Sequence, residues 1–261
     1  MIISTNVKAA NLTDEEYNRL RMVFSDERIQ LMSNDDAQRY LSYDLEGTQK
    51  VSKYYKVTET TNGTITTEVS EAEATSAAAQ REEAGIMPAA ASHTTAYKNI
   101  QISRSHTGGN NYFMNVTNHW LITPAVKSYD VIAMRVDDAT MVAGTQSGIQ
   151  MYSTNSGSGS VDYSYRGTNM VLASNGFGIS MNLVDAAYGF TCEIEAIVTA
   201  TTEWAKVFGS YQHAIASVTL AQSKSYTISH NGYGKVINFA TGIQNDYDDM
   251  DGVSIALDYT A

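Results

Sequence analysis

From residue 96 onward, runs of strand-forming residues recur at short intervals. They are "KNIQISRS", "NYFMNVTNHWLIT", "YDVIAMRV", "GIQMYST", "SVDYSYRG", "NMVLAS", "FTCEIEAIVTAT", "WAKVFGSYQHAIASVTLA", "SYTISH", "GKVINFA" and "VSIALDY". Each is rich in β-branched and aromatic residues, and Gly, Asn, Ser and Asp clusters separate them. No sustained helical period appears in this stretch, so the crossover helices that a parallel sheet requires are missing. Roughly ten short strands with this spacing predict an antiparallel sandwich, jelly roll or open barrel over residues 96–261. The run "NSGSGS" (155–160) reads as a loop tip, and "GFG" (176–178) and "GYG" (232–234) as two-glycine turns.

The first 95 residues are different. They hold 15 acidic and 9 basic residues, against 13 and 8 in the remaining 166. "TDEE" (13–16) matches a capping box and predicts a helix over about 14–25, with Tyr17, Leu20, Val23 and Phe24 on one face. "SNDD" (33–36) is a second helix start, and "SEAE" (70–73) a third, opening an alanine-rich helix that ends at Gly85 with Pro88 beyond it. That helix has almost no apolar stripe except alanine, so it needs a close neighbour to be stable. Between the second and third helices, Asn62-Gly63 joins two threonine-rich runs and predicts a hairpin, expected as a protruding arm, with an ordinary surface hairpin the alternative. The expectation is a mainly β chain: a small α+β docking region (1–95), a linker near 85–96, and a sandwich or jelly-roll-like domain (96–261).

Composition removes several functional classes. With 28 acidic and 17 basic residues the net charge is −11, which speaks against binding nucleic-acid phosphates or an anionic membrane surface. No stretch approaches the about 20 apolar residues of a membrane span. The start, "MIISTNVKAANLTDEEY", lacks the basic head and apolar run of a signal peptide, so synthesis in the cytoplasm without export is expected. The sequons at Asn11, Asn62 and Asn115 then carry no glycan signal. One cysteine, Cys192, excludes an intrachain disulfide and reads as a small buried apolar residue. Yet 17 tyrosines, 18 glycines and only 2 prolines suit an exposed β protein that works outside cells.

Few residues suggest chemistry. "NDYDDMDG" (245–252) gathers Asp246, Asp248, Asp249 and Asp251, but the EF-hand register fails, with Met250, Asp251 and Leu257 at positions 5, 6 and 12. A solvated turn ending at Gly252 is the preferred reading, and an irregular calcium site from those four aspartates is the weaker one. The histidines (His93, His106, His119, His213 and His230) form no zinc motif: His119 and His213 read as structural strand residues, His106 and His230 as loop residues. No nucleophile elbow, phosphate loop or dinucleotide fingerprint is present, and no cofactor is expected. Glu193 and Glu195 share one strand face, as a glycosidase pair would. The preferred reading is an exposed polar face opposite Cys192, Ile194 and Ala196. Asp137-Asp138 reads as a turn. Tyr163 and Tyr165 read as packing residues before glycan contacts, and Tyr233 sits at a turn tip.

The segment "WAKVFGSYQHAIASVTLAQSKSYTISHNGYGKVINFATGI", within about residues 204–259, looks like segments of uncharacterised structural proteins from tailed bacteriophages of gut Firmicutes. The resemblance implies a virion component and carries over no catalytic or ligand-binding residue. The expectation is a non-enzymatic virion protein, a capsid decoration or head-fibre-like subunit, whose partners are its own copies and other virion proteins, the major capsid protein first. The alternative is a tail or baseplate protein whose β domain binds a receptor or host surface glycan. A glycan hydrolase using Glu193 and Glu195 is the third reading.

Overall fold

A computed structural model describes residues 10–60, 63–83, 95–229 and 235–261. Three short helices come first: α1 (Asp14–Leu20), α2 (Asp26–Gln30) and α3 (Asn34–Leu41). Each begins at a side-chain cap. Thr13 and Glu16 close the capping box, and Ser33 accepts the Asp36 amide at 3.1 Å. Ser25 supplies a further cap, accepting the Arg28 amide at 3.2 Å. The helix expected over about 14–25 stops at Leu20, and a separate helix, α2, begins after Ser25, whose extended backbone cannot lie inside a continuous helix. Leu20, Val23 and Phe24 are nevertheless buried together.

β1 (Asp44–Thr60) and β2 (Gly63–Val69) form the expected hairpin, with Thr60 opposite Gly63; Asn62 lies outside the described residues. It is not a free arm. β1 also pairs with β3 (Thr95–Gly108), in register from Gln49 opposite Arg104 to Thr58 opposite Thr95. The regions before and after residue 95 therefore share a sheet. α4 (Glu71–Glu83) follows the hairpin, and its expected end at Gly85, with Pro88 and linker residues 85–94, lies outside the described residues. Ala74 is fully buried against Tyr97 and Ile122, which supplies the close neighbour this alanine-rich helix needs.

The remaining elements are β4 (Asn111–Ile122), β5 (Tyr129–Asp137), β6 (Ala139–Met141), β7 (Ser147–Thr154), β8 (Gly157–Tyr163), β9 (Met170–Ala173), β10 (Gly176–Asn182), β11 (Gly189–Ala200), β12 (Lys206–Gln212), α5 (Leu220–Ser223), β13 (Tyr226–Ile228), β14 (Ile237–Phe239) and β15 (Val253–Ala256). All strand pairings among the described residues are antiparallel. The larger sheet runs β2-β1-β3-β4-β11-β7-β8, with β6 added on β11, and the smaller runs β15-β12-β5-β10-β9. Their facing sides make one core, with Ile100, Met114, Val116 and Ile194 from the larger sheet meeting Ile132, Phe177, Ile179 and Val207 from the smaller. This is the expected mainly β, sandwich-like fold with a small α+β N-terminal region.

Each sheet is also covered outside. The first three helices pack on β4 and β11 through Phe113 and Ile197. The β13–β14 hairpin and α5 cover the outer side of the smaller sheet through Val131, Ala133 and Phe208. The segment read as strand over residues 204–221 keeps its strand only to Gln212, so His213 lies just past it; Thr219 and Gln222 then form a capping box that starts the one-turn α5. Two glycine readings also change. Gly157 and Gly159 belong to β8, and Gly176 and Gly178 to β10. A Cβ on Gly178 would lie 2.5 Å from the Tyr226 hydroxyl, so glycine lets the covering hairpin sit directly on the sheet. Among the described residues, no helix is long and apolar enough to cross a membrane.

Candidate functional site

Two buried polar clusters stand out, one on each side of the larger sheet. The outer cluster forms where α2 and α3 cover β11. Residues 192, 194 and 196 face the sandwich core, so Glu193 and Glu195 face the helices. Neither is on an exposed polar face: they are 3% and 7% exposed. The reason is a set of partners distant in sequence. Arg28 Nε donates to Glu193 Oε1 at 3.3 Å. The Tyr40 hydroxyl lies 2.7 Å from both Glu195 oxygens. Ser147 Oγ donates to Glu195 Oε1 at 3.0 Å, and Arg39 Nη2 donates to the Tyr40 hydroxyl at 2.8 Å.

Burial, the largest influence, raises the Glu193 carboxyl above its ordinary range; Arg28 opposes the shift and Glu195 adds to it. Burial also holds the Tyr40 phenol well above its usual value, helped by the Glu195 charge. A cavity of about 360 Å³ opens beside the pair, lined by Arg28, Arg39, Tyr40, Asp162, Tyr163 and Glu193 among others. It offers both charge signs and two aromatic rings, enough to hold a small polar ligand. Tyr163 and Tyr165 pack against the main core, and Tyr233 lies outside the described residues.

The inner cluster lies between the sheets. Lys98 of β3 points inward beside Ile100 and forms an ion pair with Asp248, both side chains being 0% exposed. Its Nζ sits 5.3 Å from the ring centroids of both Trp120 and Tyr211. Asp248 Oδ1 accepts the His213 backbone amide at 2.7 Å. Thr66 Oγ1 donates to Asp248 Oδ2 at 3.3 Å. His213 Nδ1 lies 3.0 Å from Asp130 Oδ1. The Tyr211 hydroxyl donates to Asp130 and accepts from Trp120 Nε1 at 3.0 Å. Cys192 is sealed nearby, and burial pushes its thiol up to about 12.

The four aspartates of the acidic run are spread apart. Asp248 turns inward to Lys98 and Asp249 pairs with Lys235. Asp251 offers its carbonyl to the Tyr55 hydroxyl at 2.6 Å, and Asp246 its carbonyl to the Ile215 amide at 2.8 Å. Among the described residues, no group of three or more His, Cys, Asp or Glu side chains is placed to hold a metal ion. His119 and His106 contact Thr191 and the Gly109 carbonyl. His106 lies in β3 and not in a loop, while His93 and His230 lie outside the described residues.

The inner cluster was not anticipated, but a signal for it exists. In "TAYKNIQIS" the inward positions are Ala96, Lys98, Ile100 and Ile102, and in "YDVIAMRV" they are Asp130, Ile132, Met134 and Val136. A charged residue that falls in the apolar phase of a strand must be paired inside.

No protein-family model and no curated protein matches the chain. Among solved structures, the pilus backbone RrgB from Streptococcus pneumoniae is similar over 41% of this chain and 25% of its own, at 14% identity and a TM-score of 0.28. The C-terminal domain of the AgI/II polypeptide BspA from Streptococcus agalactiae is similar over 45% of this chain and 53% of its own, at 6% identity and a TM-score of 0.26. The chain thus spans a quarter to a half of those structures.

Proposed function

We propose that this chain is a non-enzymatic structural protein of a tailed-bacteriophage particle, a capsid decoration or head-fibre-like subunit that acts through contact with its own copies and with neighbouring virion proteins. The resemblance of residues 204–259 supports the virion setting. The observation that carries the contact role is Trp204, which is 69% exposed, with Tyr259 39% exposed. Both lie at one end of the sandwich, where the Leu257 amide donates to the Ala205 carbonyl at 2.8 Å and the Thr260 amide to Asn110 Oδ1 at 2.9 Å. Exposed tryptophan and tyrosine are the side chains most often found as anchors of protein interfaces. The carboxylates that could serve catalysis are engaged by Arg28, Tyr40 and Lys98 within the fold. Mass spectrometry of purified particles tests the reading: the chain should appear in fixed ratio to the major shell protein, and its absence would remove the proposal.

A second reading, a tail or baseplate protein that binds a surface glycan, draws on the cavity beside Tyr40 and Tyr163. Glycan-array binding by the full chain that Tyr163→Ala abolishes would favour it over the first.

A further inference from the structure

We propose that Lys98 and Asp248 are joined by a side-chain amide, an intramolecular isopeptide bond that forms spontaneously once the sandwich has closed. The two side chains come from opposite parts of the fold, β3 of the larger sheet and the segment leading into β15 of the smaller, and they meet in direct contact with no exposure to solvent. Two aromatic faces, Trp120 and Tyr211, wall the amine. In such a place the alternative, two opposite charges withdrawn from water, is expensive to maintain. Holding the reacting groups together replaces a bimolecular condensation by an intramolecular one. Excluding water removes the solvent that would favour hydrolysis of the product.

The surroundings also suit the reaction. One ammonium proton passes to the carboxylate, leaving an amine and a carboxylic acid. The amine lone pair attacks Cγ of Asp248. Negative charge collects on Oδ1, where the His213 backbone N–H already donates at 2.7 Å, the place for an oxyanion donor. Oδ2, contacted by the Thr66 hydroxyl at 3.3 Å, takes a second amine proton and leaves as water. The C–N bond forms, the C–Oδ2 bond breaks, and one ammonium and one carboxylate become one neutral amide and one water. No oxidant, reductant or activating nucleotide is needed. Asp130 holds Tyr211 and His213 in place and is assigned a positioning role.

Intact mass spectrometry of the purified full chain under denaturing conditions is the test. The expected mass is one water below that of the sequence, and Lys98→Arg and Asp248→Ala should each regain that water. Tandem spectra of a proteolytic digest should show a branched peptide joining the segment around Lys98 to the segment around Asp248. A wild-type chain at its full sequence mass overturns the proposal. So does a water deficit that maps to Asp251-Gly252, where a backbone succinimide would produce the same loss. Should both variants fail to fold, the wild-type mass and its branched peptide decide the matter alone.

Discussion

The two buried polar clusters use similar residue types to opposite ends. Outside the larger sheet, arginine and tyrosine from the helices neutralise Glu193 and Glu195 next to an open cavity. Inside, a lysine meets an aspartate where solvent does not reach. A guanidinium spreads its charge over a planar fork and makes an unreactive strut, whereas an amine is a compact nucleophile once it gives up a proton. The outer cluster therefore fastens helices to a sheet by reversible contacts. The inner cluster has what is needed for a permanent fastening. The lesson is that the identity of the cation, and the degree to which water is kept out, separates a salt bridge from a reaction site.

Removing Asp248 should break that contrast most severely. Asp248→Ala leaves Lys98 as a lone buried charge, which costs about 3–5 kcal/mol. It also forfeits a link closing a loop of 150 residues, on the order of 5 kcal/mol by analogy with disulfide loop closure. Thermal denaturation should show a large drop in Tm or outright loss of folding. The double variant Lys98→Met with Asp248→Leu should be more stable than Asp248→Ala, since no charge is stranded, while its mass stays at the full sequence value. A double variant no better than the single one would mean that the lone charge is not what destabilises Asp248→Ala.

The outer cluster should respond less. Arg28→Ala leaves Glu193 without its strongest opposing charge and should lower stability by about 3 kcal/mol in urea titration, loosening the helices first. The mass deficit of the inner link should be untouched. A smaller effect concerns pH. Because Glu193 is raised above its ordinary 4.5 by burial, the folded chain holds that proton more tightly than the unfolded one. Its contribution to stability is then full below the ordinary carboxylate value and is lost as pH rises through the raised folded value. Glu193→Gln should flatten this part of the stability profile, measured by denaturant titration at successive pH values. An unchanged profile would show that Arg28 cancels the effect of burial, and a profile changed in the opposite sense that Arg28 outweighs it.

The smallest expected effect on folding is at the surface. Trp204→Ala should shift stability by less than about 0.5 kcal/mol. Light scattering should nevertheless report weaker self-association, and an unaltered association state would remove Trp204 from the contact surface.

Much of this architecture could be read from local signals. The caps at Thr13 and Ser33, the Ser70 start and the strand runs are each encoded within a few neighbouring residues, and the corresponding elements formed. The sites were harder because their partners are remote. Arg28 precedes Glu193 by 165 residues and Tyr40 precedes Glu195 by 155. Nothing in "FTCEIEAIV" reveals that helices will cover the acidic face, and charged residues are exposed by default. The inner pair was partly legible. Lys98 and Asp130 break the apolar phase of their strands, so burial could have been inferred from alternation. Asp248 could not, because it lies in an irregular acidic segment with no phase to violate.

The meeting of β3 with the segment before β15 has a mechanical consequence. If the chain is pulled from its two ends while residues 98 and 248 are covalently tied, tension crosses from one to the other and the intervening residues carry none of it. The polymer then withholds about 500 Å of contour length, taking ~3.5 Å per extended residue over the 150-residue span. Force spectroscopy would register a tether in which β4 to β14 stay shut under load, while β1, β2 and β15, outside the tied span, bear the tension.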